Sequence, residues 1–274
     1  TRNRVAVRLS ASASLMSSPR SGGNKSPAGT RRRWRFSHRL PSVGVDDLAF
    51  RDRAVYLEAA ETLVVADLHL GRAATSNVSA PLDERGDLLD RLARLRTAFD
   101  PSTVVFAGDV LHSFSTVPDG IDETVTELYD RCVDAGVDVV AIEGNHDRLL
   151  ETIWPTSIES AAKLDDGTVV CHGHEEPDVE GSRYLIGHDH PAITIEGVKR
   201  PCLCVDPTGY RGREIAVLPA FTRFAGGVEL NQLRGDAFQS PLVPSVDSLQ
   251  PIIWDAERET TLEFPPLGEF RRLL

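Results

Sequence analysis

Aromatic residues make up only 6% of the 274 residues, methionine occurs once, and the four cysteines include no Cys-x-x-Cys pair. So few cysteines exclude a disulfide framework and a zinc finger, and they favour the reducing environment of a cytoplasm. No apolar run approaches the ~18 residues that a transmembrane helix needs, so we expect no membrane span. The apolar share of 41% is nevertheless large enough for a sizeable core.

Lysine is almost absent, with three residues against 27 arginines, and the charge is unevenly distributed. Residues 1–40 carry ten basic residues and no acid, which leaves 20 basic and 41 acidic residues in 41–274. The overall net charge of −11 therefore hides a body with a net charge of −21. Such a body favours a halophilic source. At 1 M salt the Debye length falls to about 3 Å, so the repulsion among the acidic residues is largely screened. The alternative is an acidic protein encoded by a GC-rich genome.

Residues 1–42 are rich in serine, arginine and glycine and show no lasting apolar period. We expect a disordered basic extension there. A transit peptide and a non-native extension from an upstream start are the alternatives. Residues 43–274 are expected to form one domain, whose acidity disfavours a broad binding surface for a polyanion.

Apolar runs and helical periods alternate in the first half of the body. The two predicted helices span 83–99 and 121–135. Buried strands are predicted at 61–67, 103–109 and 137–142. This β-α-β-α-β order predicts a parallel sheet covered by helices. After Trp154 only short β-type runs follow, which predicts a second sheet of antiparallel or mixed type.

Polar side chains stand at the ends of these apolar runs. Asp67 and His69 lie two residues apart, so they share one side of an extended segment. The whole series is Asp67, His69, Asp109, Asn145, His146, Asp147, His172, His188 and His190. Because the carboxyl ends of parallel strands meet at one edge of a sheet, we expect these side chains to converge.

Imidazoles, carboxylates and one amide oxygen are the donors that borderline divalent ions prefer. We therefore expect two divalent transition metal ions, with Mn first and Fe, Co, Ni or Zn as alternatives. One carboxylate can bridge a metal pair ~3.5–4 Å apart, and such a pair lowers the pKa of a bridging water and clamps the oxygens of a phosphoryl group.

The series resembles the calcineurin-like metallophosphoesterase family over roughly residues 55–225. The matching motifs are Asp67-x-His69, Gly108-Asp109, Gly144-Asn-His-Asp147, His172-Gly and Gly187-His-x-His190. The resemblance implies an α/β fold, in which two facing mixed β-sheets are flanked by helices. It also implies a metal pair bound by two sets of ligands and bridged by Asp109. The two sets are Asp67, His69 and His190, and Asn145, His172 and His188.

The same resemblance implies that His146 is the catalytic imidazole, which contacts the phosphate and can protonate the leaving group. Asp147 would then orient His146. His112 matches a histidine that helps to place the phosphodiester in SbcD-type nucleases, and a surface histidine is the alternative. Arg72 is a candidate contact for a substrate phosphate, because arginine suits bidentate phosphate recognition, with a solvated arginine as the alternative.

A narrower resemblance links three segments to archaeal SbcD-related, ICC-like phosphoesterases. The segments are residues 66–71, 187–191 and 218–227. The last of them is expected to pack against the second sheet rather than to touch substrate.

The sequence therefore predicts a dinuclear metal-dependent phosphoesterase, in which a metal-bridged hydroxide attacks a phosphodiester or a phosphomonoester. The alternative is an SbcD-like DNA or RNA nuclease, and a third hypothesis is a non-catalytic interaction scaffold of the same fold. We expect a cytoplasmic enzyme with a phosphate-ester substrate, with nucleic acid as the alternative partner and with no membrane contact. The sequence indicates no particular protein partner.

Overall fold

The computed structural model describes residues 47–72, 83–112 and 115–272. The predicted basic extension, residues 1–42, lies outside the described residues. Within the described ranges no helix is both long enough and apolar enough to cross a bilayer.

The first sheet contains six strands in the order β1-β2-β3-β4-β5-β6. They are β1 (Leu48–Arg51), β2 (Ala54–Leu57), β3 (Thr62–Val65), β4 (Thr103–Ala107), β5 (Asp138–Ile142) and β6 (Ile158–Glu159). Strands β3 to β6 pair in parallel, whereas β1, β2 and β3 pair antiparallel. Helix α1 (Glu84–Phe99) connects β3 to β4, and helix α2 (Ile121–Val133) connects β4 to β5. The carboxyl ends of three neighbouring strands therefore meet at one edge.

The second sheet contains seven strands in the order β16-β15-β12-β13-β9-β8-β7. They are β7 (Ala161–Lys163), β8 (Thr168–Cys171), β9 (Arg183–Ile186), β12 (Leu203–Tyr210), β13 (Arg213–Val217), β15 (Gln250–Asp255) and β16 (Thr260–Glu263). A small third sheet joins β10 (Pro191–Ile195), β11 (Val198–Pro201) and β14 (Val228–Glu229). A single 3₁₀ turn (Leu150–Thr152) follows β5, and the short helix α3 (Leu267–Phe270) comes after β16.

Alternation along the strands places the two central sheets face to face. Val64 and Val105 point to a core between the sheets, where they meet Leu185 and Ala216 of the second sheet. Their neighbours in β3 and β4 point the other way, against α1 and α2. That outer core includes Leu63, Val65, Val104 and Phe106 with Leu88, Leu92, Leu95, Val125 and Leu128. Both faces of the first sheet are thus buried, which explains why its strands are continuous apolar runs.

The outer face of the second sheet has a different cover. Ile186, Ile215 and Val217 pack there against side chains from residues 230–249, which lack regular secondary structure, and against α3. In the described chain, the two long helices α1 and α2 thus cover the first sheet, whereas an irregular segment and the short helix α3 cover the second.

Helix α1 begins and ends where local chemistry requires. The carboxylate of Asp83 accepts a hydrogen bond from the amide of Gly86 at 2.7 Å, which caps the amino end. Asp100 adopts a left-handed conformation (φ 50°) and ends the helix one residue before Pro101. The predicted helix at 83–99 is confirmed almost to the residue.

The predicted fold of two facing mixed sheets is confirmed, and so is the β-α-β-α-β unit. Several elements were not predicted, among them the hairpin β1–β2 and strand β9. The hairpin β1–β2 precedes the first predicted strand, and β9 is a buried strand of only four residues that begins with Arg183.

Candidate metal centre

The polar residues of the series lie on the loops that follow β3, β4, β5, β8 and β9. The loops after β3 and β4 continue to pair through their backbones beyond the strands. The amide of Asp67 donates to the carbonyl oxygen of Gly108 (3.0 Å), and the amide of His69 donates to the carbonyl oxygen of Asp109 (2.9 Å). Left-handed φ values occur at Asp67 (56°), His69 (46°), Asp109 (48°), His188 (71°) and His190 (46°). Such strain is uncommon in non-glycine residues and gathers at functional sites.

One cluster of donor atoms joins Asp67, His69 and His190. The Nε2 atoms of His69 and His190 are 3.2 Å apart, and Nε2 of His190 lies 3.3 Å from Oδ1 of Asp67. Asp67 is completely buried and His69 is 2% exposed. Two imidazole nitrogens and a carboxylate oxygen therefore converge in a space that solvent hardly reaches.

A second cluster is centred on Nε2 of His172. This atom lies 3.1 Å from Oδ1 of Asn145 and 3.2 Å from Nδ1 of His188. Nδ1 of His172 faces the carbonyl oxygen of Ala107 at 3.2 Å. A proton on Nδ1 satisfies that carbonyl and leaves the lone pair of Nε2 directed into the cluster.

Asp109 lies between the two clusters. Its Oδ1 is 3.4 Å from Nε2 of His172, and its Oδ2 is 3.8 Å from Nε2 of His69. Donors that bind one ion at about 2.1 Å lie about 3.0–3.4 Å from one another. The separations within each cluster match this spacing, so the donor atoms of each cluster could hold a divalent ion. Asp109 faces both clusters, although its Oδ2 lies farther from His69 than this spacing.

The titratable groups of the clusters have strongly shifted pKa values. Burial lowers the pKa of His69 and of His188 to about 4. Burial opposes the charge of Asp109 as well, but His172, His69 and the amide of His146 hold its pKa far below the usual range. His172 is buried too, yet the nearby carboxylates of Asp109 and Asp67 raise its pKa to about 9. The two buried carboxylates are thus balanced by a proton on His172, whereas His69 and His188 are neutral, and a bound divalent cation would displace that proton.

Two glycines allow the close approach of these loops. A Cβ atom on Gly108 (φ 81°) would lie 2.4 Å from Nδ1 of His172, and one on Gly144 would lie 2.2 Å from the amide nitrogen of Asp109. Any side chain at either position would push a candidate ligand out of place. The Gly-Asp and Gly-Asn-His motifs therefore need glycine for steric reasons.

His146 lies at the open side of the clusters. Its amide donates to Oδ1 of Asp109 (2.9 Å), and its Nδ1 faces the carbonyl oxygen of His112 (2.9 Å). Its Nε2 is 3.8 Å from Oδ2 of Asp109, and the side chain is 22% exposed. The ring is thus held by its Nδ1 edge, while the Nε2 edge faces the site.

The sequence hypothesis is that Asp147 orients the ring of His146, but the hydrogen bonds of its carboxylate go to backbone amides. Its carboxylate accepts hydrogen bonds from the amides of Val110 (3.2 Å), Leu111 (2.8 Å) and Gly144 (2.9 Å). Burial raises its pKa to about 7 against the effect of these amides. Asp147 fixes the backbone that leads to His112, and the carbonyl of His112 orients the ring of His146.

His112 and Arg72 lie beside the first cluster. Donor atoms of His112, His69 and His146 lie within 4.8 Å of one another. Burial lowers the pKa of His112, and the charge of Arg72 adds to this effect. Nε of Arg72 donates to the carbonyl of Phe224 at 3.2 Å. The structure thus brings both side chains to the edge of the site.

Sequence patterns did not indicate Asp189, although it supports the two histidines beside it. It is 3% exposed, and its carboxylate accepts hydrogen bonds from the amides of Gln239 (2.8 Å) and Ser240 (3.2 Å). Asp189 therefore ties the His188–His190 loop to the irregular segment over the second sheet. The alternation of the His-x-His motif was the one available signal, because it places the middle residue on the opposite side.

The sequence predicts that the segment 218–227 packs on the second sheet, but the segment also contacts the first sheet and the candidate ligands. The amide of Phe221 donates to the carbonyl of Ala66 at 2.8 Å, and its ring belongs to the core that covers α1. The amide of Val228 donates to the carbonyl of His190 at 2.8 Å. The segment therefore crosses from the second sheet to the rim of the metal-ligand clusters.

Residues 61–201 match the sequence profile of the calcineurin-like phosphoesterase family. The chain is similar to the crystal structure of nuclease MPE from Pseudomonas putida, with 27% identity and a TM-score of 0.53, over 78% of this chain and 92% of that one. It is also similar to YfcE, a phosphoesterase from E. coli, with 15% identity and a TM-score of 0.40, over 75% of this chain and 98% of that one. No curated protein matches the chain.

The match begins before Asp67 and ends after His190, so it contains every residue of both clusters. It covers about half of the chain, including four strands of the first sheet and the loops that carry the candidate ligands. The chain belongs to the calcineurin-like phosphoesterase family.

Proposed function

We propose that this chain hydrolyses phosphate esters with the help of two divalent metal ions. The observation that carries the proposal is the position of Asp109, whose two carboxylate oxygens face two different histidine clusters. The family's metals are divalent, and the donor chemistry of both clusters suits such ions. We propose Mn as the metal, with Fe, Co, Ni or Zn as the alternatives.

The proposed ligands form two sets that share one carboxylate. They are Asp67, His69 and His190 in the first set, Asn145, His172 and His188 in the second, and Asp109 in both. When bound, such a metal pair supplies Lewis-acid activation of water and neutralises charge on the phosphoryl oxygens.

His146 is the proposed proton donor to the leaving oxygen. Because the carbonyl of His112 binds Nδ1, the second nitrogen is the one that can exchange a proton with an ester oxygen. His112 and Arg72 lie next to this edge, and we assign them to placing the phosphate group. Asp147 acts as a positioning residue through the backbone that holds His146.

A phosphodiester or phosphomonoester of modest size is the first candidate substrate, because the body of the chain carries a net charge of −21. A nuclease is the second candidate function. It is supported by the similarity to Pseudomonas putida nuclease MPE over 92% of that chain. The motifs shared with SbcD-related phosphoesterases support it as well.

We propose a cytoplasmic location and a halophilic, archaeal source for this chain. All four cysteines are free and buried, which suits a reducing compartment. The halophilic source can be tested by measuring activity from low salt to molar KCl. A steady loss of activity as the KCl concentration rises would contradict adaptation to salt.

The metal pair can be tested with Asp109→Asn, and the exposed Asp165→Asn serves as a matched control. After reconstitution with Mn, we expect two ions per chain in the wild type and in the control by elemental analysis. We expect at most one ion in Asp109→Asn, and a loss of hydrolysis of bis-p-nitrophenyl phosphate of at least ~100-fold. Two ions bound to Asp109→Asn with wild-type affinity would contradict the bridging role. A wild type that binds no metal would favour the scaffold hypothesis.

A substrate panel separates the two candidate functions. The Mn-loaded protein is incubated with single-stranded DNA, cyclic nucleotides, nucleotide diesters and a phosphoprotein. A preference of kcat/KM for the small diesters supports the first function. Cleavage of DNA at higher efficiency than all small esters would make the nuclease the correct assignment.

A further inference from the structure

A cavity of about 200 Å³ opens next to His190, outside the two metal-ligand clusters. Three basic side chains line it, Arg53, Lys199 and Arg223, and they come from three separate parts of the chain. Arg53 belongs to the turn between β1 and β2, Lys199 to β11, and Arg223 to the segment 218–227. The body of the chain is strongly acidic, so a cavity with three cations in its wall differs in charge from the rest of the molecule.

Two of these cations are held by backbone carbonyls. Nη1 of Arg53 donates to the carbonyl oxygens of Ala220 (3.2 Å) and Thr222, and Nζ of Lys199 donates to that of Gly227 (2.6 Å). Among residues 47–72, 83–112 and 115–272, no carboxylate forms an ion pair with Arg53 or Lys199. Arg223 pairs with Asp87 at 2.9 Å and lies 3.9 Å from Asp52. Arg53 and Lys199 are therefore held by carbonyl oxygens rather than by a paired acid, although the charges of Asp52 and Asp87 act on Arg53.

The turn that carries Arg53 is strained. Arg51 pairs with Ala54, so Asp52 and Arg53 form a two-residue hairpin loop, and their φ values are 45° and 68°. Asparagine and glycine are the usual residues in such a loop. The buried Arg91 holds the turn through Nε to Oδ2 of Asp52 (2.9 Å) and Nη2 to its carbonyl oxygen (2.8 Å). A bulky arginine kept in this conformation suggests a function for its side chain.

The charge of the cavity indicates an anionic ligand. Burial, together with the neighbouring charges of Arg91 and Arg223, lowers the pKa of Arg53 to about 10, and the charges of Asp52 and Asp87 partly oppose this effect. The guanidinium remains charged at neutral pH, and a bound anion would offset the mutual repulsion of these cations. Phosphate oxygens are well suited to bind an arginine and a lysine together.

We infer that this cavity binds a second phosphate group of the substrate, adjacent to the phosphate at the metal centre. His190 belongs both to the first ligand cluster and to the cavity wall, so one extended substrate can reach both places. The inference rests on the proposed function. It deepens that function by selecting phosphate esters with a flanking phosphate, as in a short nucleic-acid strand, over esters with a single phosphorus atom.

The test compares Lys199→Gln with Lys163→Gln. Both lysines are exposed, and each donates to a backbone carbonyl. Lys163 lies in β7, away from the cavity, and donates to the carbonyl oxygen of Glu180 at 2.9 Å. The substrates are a thymidine dinucleotide with one internal phosphodiester and the same dinucleotide with an added 5′- or 3′-phosphate. In the Mn-loaded wild type, we expect one of the phosphorylated forms to have a higher kcat/KM by about tenfold or more.

Lys199→Gln is expected to abolish this preference, Lys199→Arg to restore most of it, and Lys163→Gln to keep it. A second readout does not depend on catalysis. The full chain is treated with chelator and titrated with inorganic phosphate at low ionic strength, with detection by phosphorus NMR. We expect Lys199→Gln to weaken phosphate binding about tenfold relative to Lys163→Gln.

The two readouts separate this inference from the proposed function. Hydrolysis without any preference for the added phosphate, together with equal phosphate binding by the two variants, would overturn the inference and leave the proposed function standing. Phosphate binding that depends on Lys199, in a protein that hydrolyses none of the esters when loaded with Mn, would overturn the proposed function and support the cavity as a phosphate site.

Discussion

His146 and Asp147 are neighbours in the chain, but their side chains act on different parts of the site. His146 presents Nε2 to the clusters, whereas Asp147 is buried and binds three backbone amides. The motif Gly-Asn-His-Asp therefore contains a candidate ligand, a candidate proton donor and a backbone clamp in succession. The two residues therefore differ in role because His146 directs a ring nitrogen at the clusters, whereas Asp147 directs its carboxylate at backbone amides.

Replacing His146 by alanine should separate catalysis from metal binding. The amide of residue 146 still donates to Asp109 in His146→Ala, so the ligand geometry is retained. We expect two Mn ions per chain by elemental analysis, and a kcat on bis-p-nitrophenyl phosphate that is at least ~100-fold lower. An unchanged kcat would show that His146 does not transfer the proton.

Gly108 offers a test of the close approach to His172. Gly108→Ala places a Cβ atom 2.4 Å from Nδ1 of His172, while Gly136→Ala, at a similar φ of 74°, meets nothing within 4 Å. Gly136→Ala should lower the free energy of unfolding by about 1 kcal/mol from backbone strain alone. Gly108→Ala should lower it by about 3 kcal/mol and weaken Mn binding, as measured by urea unfolding and metal titration. Equal effects of the two variants would contradict the steric role of Gly108.

At the scale of the elements, helix α1 and strands β3, β4 and β5 were predictable, whereas strand β9 was not. Helix α1 and strands β3, β4 and β5 are buried on defined faces, and their patterns record that burial. Strand β9 begins with Arg183, whose charge hides the fact that all four of its residues are buried. The irregular cover of the second sheet has no periodicity at all, so no pattern could indicate it.

The convergence of the candidate ligands was predictable for the same physical reason. Parallel strands bring their carboxyl ends to one edge, and Asp67, Asp109 and Asn145 each follow such a strand. The basic cavity was not predictable, because Arg53, Lys199 and Arg223 follow no common pattern. Their contact depends on how the hairpin β1–β2 and the segment 218–227 pack around His190.

Arg91 connects α1 to the parts of the chain that surround the cavity. Its side chain is completely buried, binds the turn at Asp52, donates to the carbonyl of Phe221 (2.6 Å) and lies 4.1 Å above the Phe221 ring. Arg91→Leu leaves these acceptors without their donor and should lower the free energy of unfolding by about 3 kcal/mol in urea. The exposed Arg94→Leu on the same helix is the control, with an expected change within about 0.5 kcal/mol. Similar changes in both variants would show that Arg91 does not organise this region.

At the scale of the whole molecule, the acidic body and the basic cavity are two parts of one charge distribution. The net charge of −21 disfavours binding of a long polyanion over a broad surface. The cations that line the cavity act only over a short distance, and salt screens them beyond about 10 Å at 0.1 M. A substrate with a few phosphates close together fits both constraints.

Charge also joins the two sheets, because Arg183 of β9 binds Asp47, which directly precedes β1. Nη1 and Nη2 of Arg183 donate to Oδ1 and Oδ2 of Asp47, both at 2.8 Å. The same guanidinium lies 3.2 Å from Asp166 and 3.4 Å from Glu214. The hydrogen bonds from Arg183 hold the pKa of Asp47 below its ordinary value, although partial burial opposes them. This carboxylate therefore stabilises the fold above its ordinary pKa, and the contribution is lost as the pH falls through the lowered value.

Asp47→Asn should accordingly be destabilising only where the wild-type carboxylate is charged. At pH 7 we expect the free energy of unfolding in urea to fall by about 1 kcal/mol, since Asp47 is partly exposed and solvent screens the pair. As the pH falls below about 4, the wild type loses the same interaction, so the difference between the two proteins should shrink toward zero. Asp165→Asn, at an exposed site, should differ from the wild type by less than about 0.5 kcal/mol at every pH. A difference for Asp47→Asn that stays constant from pH 7 to pH 3 would mean that its amide is destabilising for steric reasons, and that the ionised carboxylate does not join the two sheets.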